Sequence, residues 1–187
     1  MAVPDHTSKI LCLTGFMGCG KTTIGRRVSR QLGWRFADLD TRIEERTGLT
    51  ISIMFQRLGE PAFRDVEHEL LSSTLAEALE LQRPTVLALG GGTYAQPRNV
   101  DLLRSSSAIV VWLDTPFEEL LARCVTKTHR PLFRDEASLR KLYAERLPFY
   151  QKADVRIPST GDQQKVVAAI CSLYASGTQT AGKGVNA

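Results

Sequence analysis

The amino-acid sequence predicts an α/β fold, with a five-stranded parallel sheet covered by helices on both faces. Short apolar runs typical of buried strands alternate along the chain with segments whose apolar residues recur at helical spacing. The length of 187 residues, of which 43% are hydrophobic and 24% charged, suits a soluble globular protein. We therefore expect one domain over residues 1–175, followed by a flexible tail of small and polar residues over 176–187.

The individual elements follow from apolar spacing and turn residues. The predicted strands cover residues 10–13, 35–39, 85–89, 108–113 and 153–157. After the first strand, Ile24, Val28 and Leu32 mark one face of a helix that ends at Gly33. A second helix is predicted to end at Gly48. Three further helices are predicted over residues 51–58, 61–81 and 137–150, the last one interrupted at Pro148. Val166, Ile170 and Leu173 mark the final helix.

A glycine-rich loop joins the first predicted strand to its helix. Residues 15–22, GFMGCGKT, fit the pattern G-x-x-x-x-G-K-[ST] in the strand-to-helix context that a phosphate-binding loop requires. The glycines let backbone N–H groups curl inward, and the start of the helix adds partial positive charge. Lys21 can then reach the terminal phosphates of a nucleoside triphosphate, and Thr22 can bind Mg²⁺ through its hydroxyl. The motif alone leaves kinases, GTPases and motor ATPases open.

Acidic residues at the ends of two predicted strands compete to be the second magnesium group. Asp114 follows the fourth strand, but it directly precedes a Thr-Pro pair, so we expect it to cap a helix. Asp38 ends the strand after the loop's helix and can lie near Thr22, so we predict that it serves the metal through a water molecule. Asp40 lies two residues further on, which in a strand would place both carboxylates on the same side.

Other residues indicate that the second ligand is a small acid. The third predicted strand runs into Gly90, Gly91 and Gly92, where the absence of side chains lets a ligand approach backbone N–H groups. Arg64 on the long helix 61–81, and Arg146 near a basic loop, are expected to be free to clamp a carboxylate. Such a clamp suits a small acid better than it suits a nucleotide base.

Charge and cysteine content argue against several other classes of protein. The net charge of +4 is mildly basic, but no run of Lys and Arg is long enough to indicate nucleic-acid binding. No signal peptide or membrane span is predicted, because the apolar runs are short. The cysteines form no C-x-x-C pair and lack histidine neighbours, which predicts reduced thiols in a cytoplasmic protein: Cys12, Cys19, Cys124 and Cys171.

Over about residues 9–174 the sequence resembles the shikimate kinase family. The resemblance rests on the order and spacing of GFMGCGKTTIGRRVSRQLG, FADLDTRIEERTG, ISIMFQRLGEPAFRDVE, LALGGG, RPLF and ERLPFYQKADV. This family transfers the γ-phosphate of ATP to the 3-hydroxyl of shikimate during aromatic amino-acid biosynthesis. The resemblance therefore implies a P-loop kinase fold with Mg²⁺, ATP and shikimate as ligands. Residues 125–136, which are basic and lack periodicity, would form a mobile lid.

The resemblance also implies roles for single residues. Asp40 would hold the hydroxyls of shikimate and accept a proton, while Lys21 and Arg130 would neutralise the charge of the transferring phosphate. Thr22 and Asp38 would serve the metal. The implied substrate-binding residues are Asp40, Arg64, Gly90, Gly91, Gly92 and Arg146. The implied nucleotide-binding residues are Gly15, Met17, Gly18, Cys19, Gly20, Lys21, Thr22, Thr23, Arg130 and, beside the adenine, Arg123.

Two alternatives stay open. Another kinase of a small hydroxy acid, such as gluconate kinase, would also need a carboxylate clamp and a phosphate loop. A catalytically inactive nucleotide-binding regulator could share the fold, although Lys21, Thr22, Asp38, Asp40 and Arg130 are all present. We expect direct in-line transfer without a phosphoenzyme, because the motifs position no histidine or serine as a nucleophile. The chain is expected to act as a monomer.

Overall fold

The structure, a computed structural model, describes residues 8–125 and 135–175. The strands in these ranges are β1 (Ile10–Thr14), β2 (Arg35–Asp38), β3 (Thr85–Ala88), β4 (Ile109–Asp114) and β5 (Val155–Pro158). The helices are α1 (Lys21–Leu32), α2 (Leu39–Thr47), α3 (Ile51–Glu80), α4 (Pro97–Ser105), α5 (Phe117–Val125), α6 (Glu136–Tyr150) and α7 (Gln163–Ala175), with a 3₁₀ turn at Thr93–Ala95. In the part of the chain so described, no helix is both long and apolar enough to cross a membrane.

The strands form one parallel sheet in the order β2-β3-β1-β4-β5. Cys12 of the central strand β1 pairs with Leu87 of β3 on one side and with Val110 of β4 on the other. All residues of β1 are buried, as expected for a parallel strand with helices on both faces of its sheet. The predicted α/β fold with a five-stranded parallel sheet is confirmed.

Alternate residues of β1 enter two separate hydrophobic cores. Leu11 and Leu13 pack in a cluster with residues of α1, α5, α6 and α7. Ile10 and Cys12 point the other way, because side chains alternate along a strand, and pack with residues of α2, α3 and α4. The sheet is thus packed between two helical layers, and this packing holds the residues at the ends of its strands in place.

One edge of this sheet collects the segments in which site residues were predicted. Because the strands are parallel, β1, β2 and β3 all end at the same edge, and the strand order makes them neighbours. The glycine-rich loop 15–20 follows β1, Asp38 ends β2, and the glycine segment 90–92 follows β3. The topology alone therefore brings the phosphate loop, the acids and the glycines together.

Some details differ from the sequence-based prediction. β2 ends at Asp38 and α2 begins at Leu39, so Asp40 lies in the first turn of a helix and not in a strand. α6 continues through Pro148, which was predicted to interrupt it, and α4 was not predicted at all. The break between the predicted helices 51–58 and 61–81 is present as a kink in α3, where Gly59 has φ +78° and ψ +170°.

Candidate active site

The loop between β1 and α1 has a backbone conformation that glycine adopts readily. Gly15 has φ +139°, and Gly20, directly before the first residue of α1, has φ +100°. A Cβ atom at Gly15 would lie 2.9 Å from the carbonyl oxygen of Leu113 in β4. The loop therefore packs closely against the neighbouring strand, and only a residue without a side chain fits there.

Two basic side chains contact this loop. Lys21 donates from Nζ to the carbonyl oxygens of Gly15, over 2.8 Å, and Phe16, over 3.2 Å. Arg123 of α5 donates to the carbonyl oxygen of Gly18 over 3.3 Å. Both cations thus lie at the loop that the sequence motif assigns to phosphates.

Thr22 and Asp38 meet beside the loop. Thr22 Oγ1 donates to Asp38 Oδ2 over 2.6 Å, and Asp38 Oδ1 caps α2 by accepting from the backbone N–H of Thr41. A hydroxyl and a carboxylate are hard oxygen donors of the kind that Mg²⁺ prefers, so the pair fits this ion. Residues 8–125 and 135–175 contain no group of three or more His, Cys, Asp or Glu side chains that could hold a metal. Phosphate oxygens and water would therefore have to complete a magnesium shell here.

Asp40 is a half-buried carboxylate in the first turn of α2. Burial raises the pKa of its carboxyl group to about 6. The positive charge of Lys21 opposes this shift, and the carboxylates of Asp38, Glu67 and Glu44 add to it. Asp40 therefore changes its charge closer to neutral pH than an exposed aspartate does.

The glycine segment after β3 lets charged side chains approach the backbone. A Cβ atom at Gly90 would lie 2.8 Å from Asp40 Oδ1 and 3.0 Å from Glu67 Oε1. At Gly92 a Cβ atom would lie 2.5 Å from Arg64 Nη2 and 2.9 Å from Nη1. Real Cβ atoms do not tolerate such distances, so these side chains could not take their present positions if the segment were not glycine.

Arg64 of α3 is buried, with 8% of its surface exposed. Its Nε and Nη2 donate to Glu60 Oε1 over 3.1 and 2.8 Å, and its Nη1 donates to Glu67 Oε2 over 2.9 Å. Its guanidinium carbon lies 5.1 Å from the ring centroid of Phe63 and 5.9 Å from that of Phe55. The prediction that Arg64 is free was wrong. Two of its five N–H groups, one on each terminal nitrogen, have no partner among the described residues.

Arg146 of α6 lies on the other side of the glycine segment and is 7% exposed. A Cβ atom at Gly91 would lie 3.5 Å from its Nη1. Within residues 8–125 and 135–175, no carboxylate forms an ion pair with Arg146. Unlike Arg64, Arg146 is thus not held by a described carboxylate, and its role as a cation for an acidic ligand stays a prediction.

These groups line one cavity of about 390 Å³. It is bounded by Met17, Gly18, Gly20, Lys21, Thr22, Thr23, Asp38, Asp40, Ile51, Phe55, Phe63, Arg64, Glu67, Leu89, Gly90, Gly91, Gly92 and Arg146. A larger cavity of about 570 Å³ lies at the opposite edge of the sheet, beside the first residues of β1 and β4, and no predicted site residue lines it. The chemistry-bearing groups are therefore gathered in the smaller cavity.

The sequence is similar over most of its length to proteins of one enzyme family. The family model for shikimate kinase matches residues 17–175. The shikimate kinase of Moorella thermoacetica is 41% identical over 160 residues, which cover 84% of this chain and 89% of that protein. The chain belongs to the shikimate kinase family.

Solved structures agree with this membership. The shikimate kinase of Acinetobacter baumannii, in complex with shikimate, is 35% identical, with a TM-score of 0.83 over 93% of this chain and 97% of that one. A gluconokinase from Sinorhizobium meliloti superimposes with a TM-score of 0.63, covering 94% of each chain, at only 17% identity. The gluconokinase therefore shares the fold alone. The alternative prediction of a gluconate kinase gains no support from it.

The structure of this shikimate kinase family member brings most of the predicted site residues together. The predicted acid-binding residues all line the cavity, as do most of the predicted nucleotide-binding ones. Gly15, Cys19 and Arg123 do not line it. Cys19 belongs to the phosphate loop, but it is buried, with 1% of its surface exposed. Arg130 and most of the predicted lid lie outside the described residues, as does the predicted tail. Whether each residue has its predicted role stays a prediction.

Other functional candidates were missed by sequence reasoning. Glu67 is 1% exposed and holds Arg64, and its Oε1 accepts from Thr93 Oγ1 over 2.6 Å. Glu60 holds the same guanidinium from the turn before. Glu60 and Glu67 stand at i−4 and i+3 from Arg64, a spacing that places side chains on one helical face and could have revealed these pairs.

The predicted capping role of Asp114 was wrong. α5 begins at Phe117, three residues later, and Asp114 remains the last residue of β4. Its carboxylate accepts from Arg156 Nε of β5 over 2.8 Å. The acid therefore ties two neighbouring strands together, and it does not line the cavity beside the phosphate loop.

Proposed function

We propose that this chain transfers the γ-phosphate of ATP to the 3-hydroxyl of shikimate. One observation supports this proposal above all: a phosphate loop, a carboxylate and two buried arginines line the same cavity. The chain that contains them belongs to the shikimate kinase family. A cavity of about 390 Å³ is within the range of small-molecule sites.

The nucleotide side of the cavity is built by the loop and the start of α1. Inward-facing backbone N–H groups and the helix N-terminus suit the phosphates of ATP. Lys21 Nζ, now bonded to loop carbonyl oxygens, can transfer its hydrogen bonds to phosphate oxygens. Thr22 and Asp38 would hold Mg²⁺, the cofactor we propose, and the bound ion would supply neutralising charge to the phosphates.

The acid side of the cavity is built by α3, α6 and the glycine segment. Arg64 has two N–H groups without a partner among the described residues, one on each terminal nitrogen, and these suit the two oxygens of a carboxylate. Arg146 offers a second cation on the other side of the segment. Since both arginines are largely shielded from water, their charges act more strongly on a bound acid than surface charges do.

Asp40 lies between these two sides and is the proposed partner of the reacting hydroxyl. With a pKa of about 6, its carboxylate is mostly ionised at neutral pH and can accept a hydrogen bond or a proton. Transfer is proposed to be direct, with Lys21 stabilising phosphate charge. Arg130, outside the described residues, is expected to contribute to the same task, and Arg123 to lie by the adenine.

The function is tested by measuring ADP release in a coupled assay with shikimate, with gluconate and with neither acid. Release that depends on shikimate and on added Mg²⁺ is expected. Release that depends on gluconate would support the other small-acid kinase, and tight ATP binding without any turnover would support an inactive regulator. Sizing the active species by light scattering tests the expected monomer. We propose a cytoplasmic location, which the free thiols Cys12, Cys19 and Cys171 support.

A further inference from the structure

Tyr150 is a fully buried residue beside the acid-binding side of the cavity, and none of the proposed contacts to ATP, Mg²⁺ or shikimate involves it. It is the last residue of α6 and stands one helical turn after Arg146, so the two side chains lie on the same face of the helix. Its hydroxyl donates to the carbonyl oxygen of Gly91 over 2.5 Å. Its ring packs against Trp112 of β4, with the ring centroids 6.3 Å apart.

Gly91 is the point at which three elements meet. A Cβ atom there would lie 3.5 Å from Arg146 Nη1 and 3.6 Å from the backbone nitrogen of Met17 in the phosphate loop. The same residue offers its carbonyl oxygen to Tyr150. Gly91 therefore lies close both to α6, through Arg146 and Tyr150, and to the phosphate loop, through Met17.

The hydroxyl of Tyr150 is suited to donate a hydrogen bond over a wide range of pH. Burial raises the pKa of Tyr150 well above its usual range, and both the charge of Arg146 and its side-chain hydrogen bond to Tyr150 oppose this shift. The group therefore stays protonated near neutral pH. Because the ring is packed against the central part of the sheet, the donor is held by a rigid element and not by a loop.

We propose that Tyr150 is a positioning residue for the phosphorylation of shikimate. By holding the carbonyl oxygen of Gly91, its hydroxyl fixes Arg146 over the glycine segment, in the place where it meets the carboxylate of the substrate. This inference rests on the proposed function, because it assigns the effect of Tyr150 to the binding of the acid and not to the binding of ATP.

Tyr150→Phe tests the inference, since it removes the hydroxyl and keeps the ring that packs against Trp112. We expect KM for shikimate to rise about five- to tenfold, the factor that corresponds to one hydrogen bond. KM for ATP is expected to stay within about twofold, because the hydroxyl of Tyr150 contacts the glycine segment and no residue of the phosphate loop. A shikimate KM that does not change, or an equal rise in both constants, would overturn the inference.

Tyr94→Phe is the matched control. Tyr94 is 3% exposed, and its hydroxyl also donates to a backbone carbonyl oxygen, that of Lys152, over 3.1 Å. The variant therefore loses the same kind of bond, in the 3₁₀ turn just after the glycine segment, without touching Arg146. Its shikimate KM is expected to stay within about twofold of the unchanged chain. A rise as large as that of Tyr150→Phe would mean that general loosening, and not positioning, is being measured.

A double-mutant cycle separates positioning from a purely structural effect. If Tyr150 acts through Arg146, adding Tyr150→Phe to Arg146→Gln should raise the shikimate KM no further. Full additivity of the two changes would overturn the inference alone. Absence of shikimate-dependent ADP release in the unchanged chain would overturn the proposed function, and the inference with it. Circular dichroism of each variant shows that the compared proteins are folded.

Discussion

Arg64 and Glu67 form a buried ion pair in the wall of the cavity, with 2.9 Å between Arg64 Nη1 and Glu67 Oε2. Glu67 is 1% exposed, and its other oxygen accepts from Thr93 just after the glycine segment. A buried pair of this kind adds little net stability, because the cost of taking two charges out of water offsets their attraction. Its effect here is to fix the direction of a guanidinium group that faces the cavity.

Glu67→Gln should therefore damage binding of the acid more than binding of the nucleotide. We expect KM for shikimate to rise about tenfold or more and the free energy of unfolding to fall by about 1–3 kcal/mol, since Arg64 loses its buried charged partner and keeps only the exposed Glu60. Steady-state kinetics with each substrate varied and urea unfolding measure both effects. Glu69→Gln, an exposed change on the same helix, is the control and should leave both nearly unchanged.

The glycine segment gives a graded steric prediction. Gly92→Ala would place a methyl group 2.5 Å from Arg64 Nη2, so the guanidinium must move, whereas Gly91→Ala meets Arg146 Nη1 at an ordinary 3.5 Å. We expect Gly92→Ala to raise the Kd for shikimate about tenfold or more and Gly91→Ala to have a smaller effect. Titration of shikimate into each variant measures this directly. Equal losses in the two variants would show that the close approach of Arg64 is not what requires glycine.

Asp40 should cost the folded protein stability at neutral and alkaline pH. Its pKa is 3.8 in an unperturbed chain and about 6 when folded, so ionising it favours the unfolded state once the pH rises through this range. Asp40→Asn should thus raise the free energy of unfolding by about 1–3 kcal/mol at pH 8 and by almost nothing below pH 4. The same variant should lose most of its kcat, and kcat/KM of the unchanged chain should fall as the pH drops below about 6. Urea unfolding at both pH values would refute the account if the difference were independent of pH.

Asp38 is predicted to matter through magnesium. Asp38→Asn keeps a side chain that can cap α2, since asparagine is as good a cap as aspartate, but it removes the charge beside Thr22. We expect the Mg²⁺ concentration that gives half the maximal rate to rise about tenfold. Asp65→Asn, which removes an exposed partner of Arg98, is the control and should leave it unchanged. If Asp38→Asn leaves the Mg²⁺ concentration for half the maximal rate unchanged, this carboxylate does not act on the metal.

Much of the fold could be predicted from patterns that depend on near neighbours in the sequence. Apolar runs located β1, β3 and β4, because these strands are buried and read as continuous apolar segments, whereas the edge strands β2 and β5 are partly exposed and have shorter apolar stretches. The turn at Asp38 was misplaced. Asp38 serves both as the end of a strand and as the cap of the next helix, and no residue separates the two elements.

The candidate site was predicted in its members but not in its contacts. The phosphate loop has a strict spacing, and the glycines and acids follow strands whose ends must meet. The pairing of Arg64 with two glutamates depends on which face of α3 is buried, and sequence reasoning did not predict these ion pairs. The bond from Tyr150 to Gly91 joins residues 59 positions apart, a relationship that spacing does not reveal.

The central claim is that two guanidinium groups hold an organic acid opposite a phosphate loop. Calorimetric titration of shikimate and of ATP with Mg²⁺ into the unchanged chain, Arg64→Ala and Arg146→Gln tests it most directly. The account predicts that each substitution weakens shikimate binding by about tenfold or more while the Kd for ATP stays within about twofold. Equal weakening of both ligands, or undiminished binding of shikimate, would contradict it.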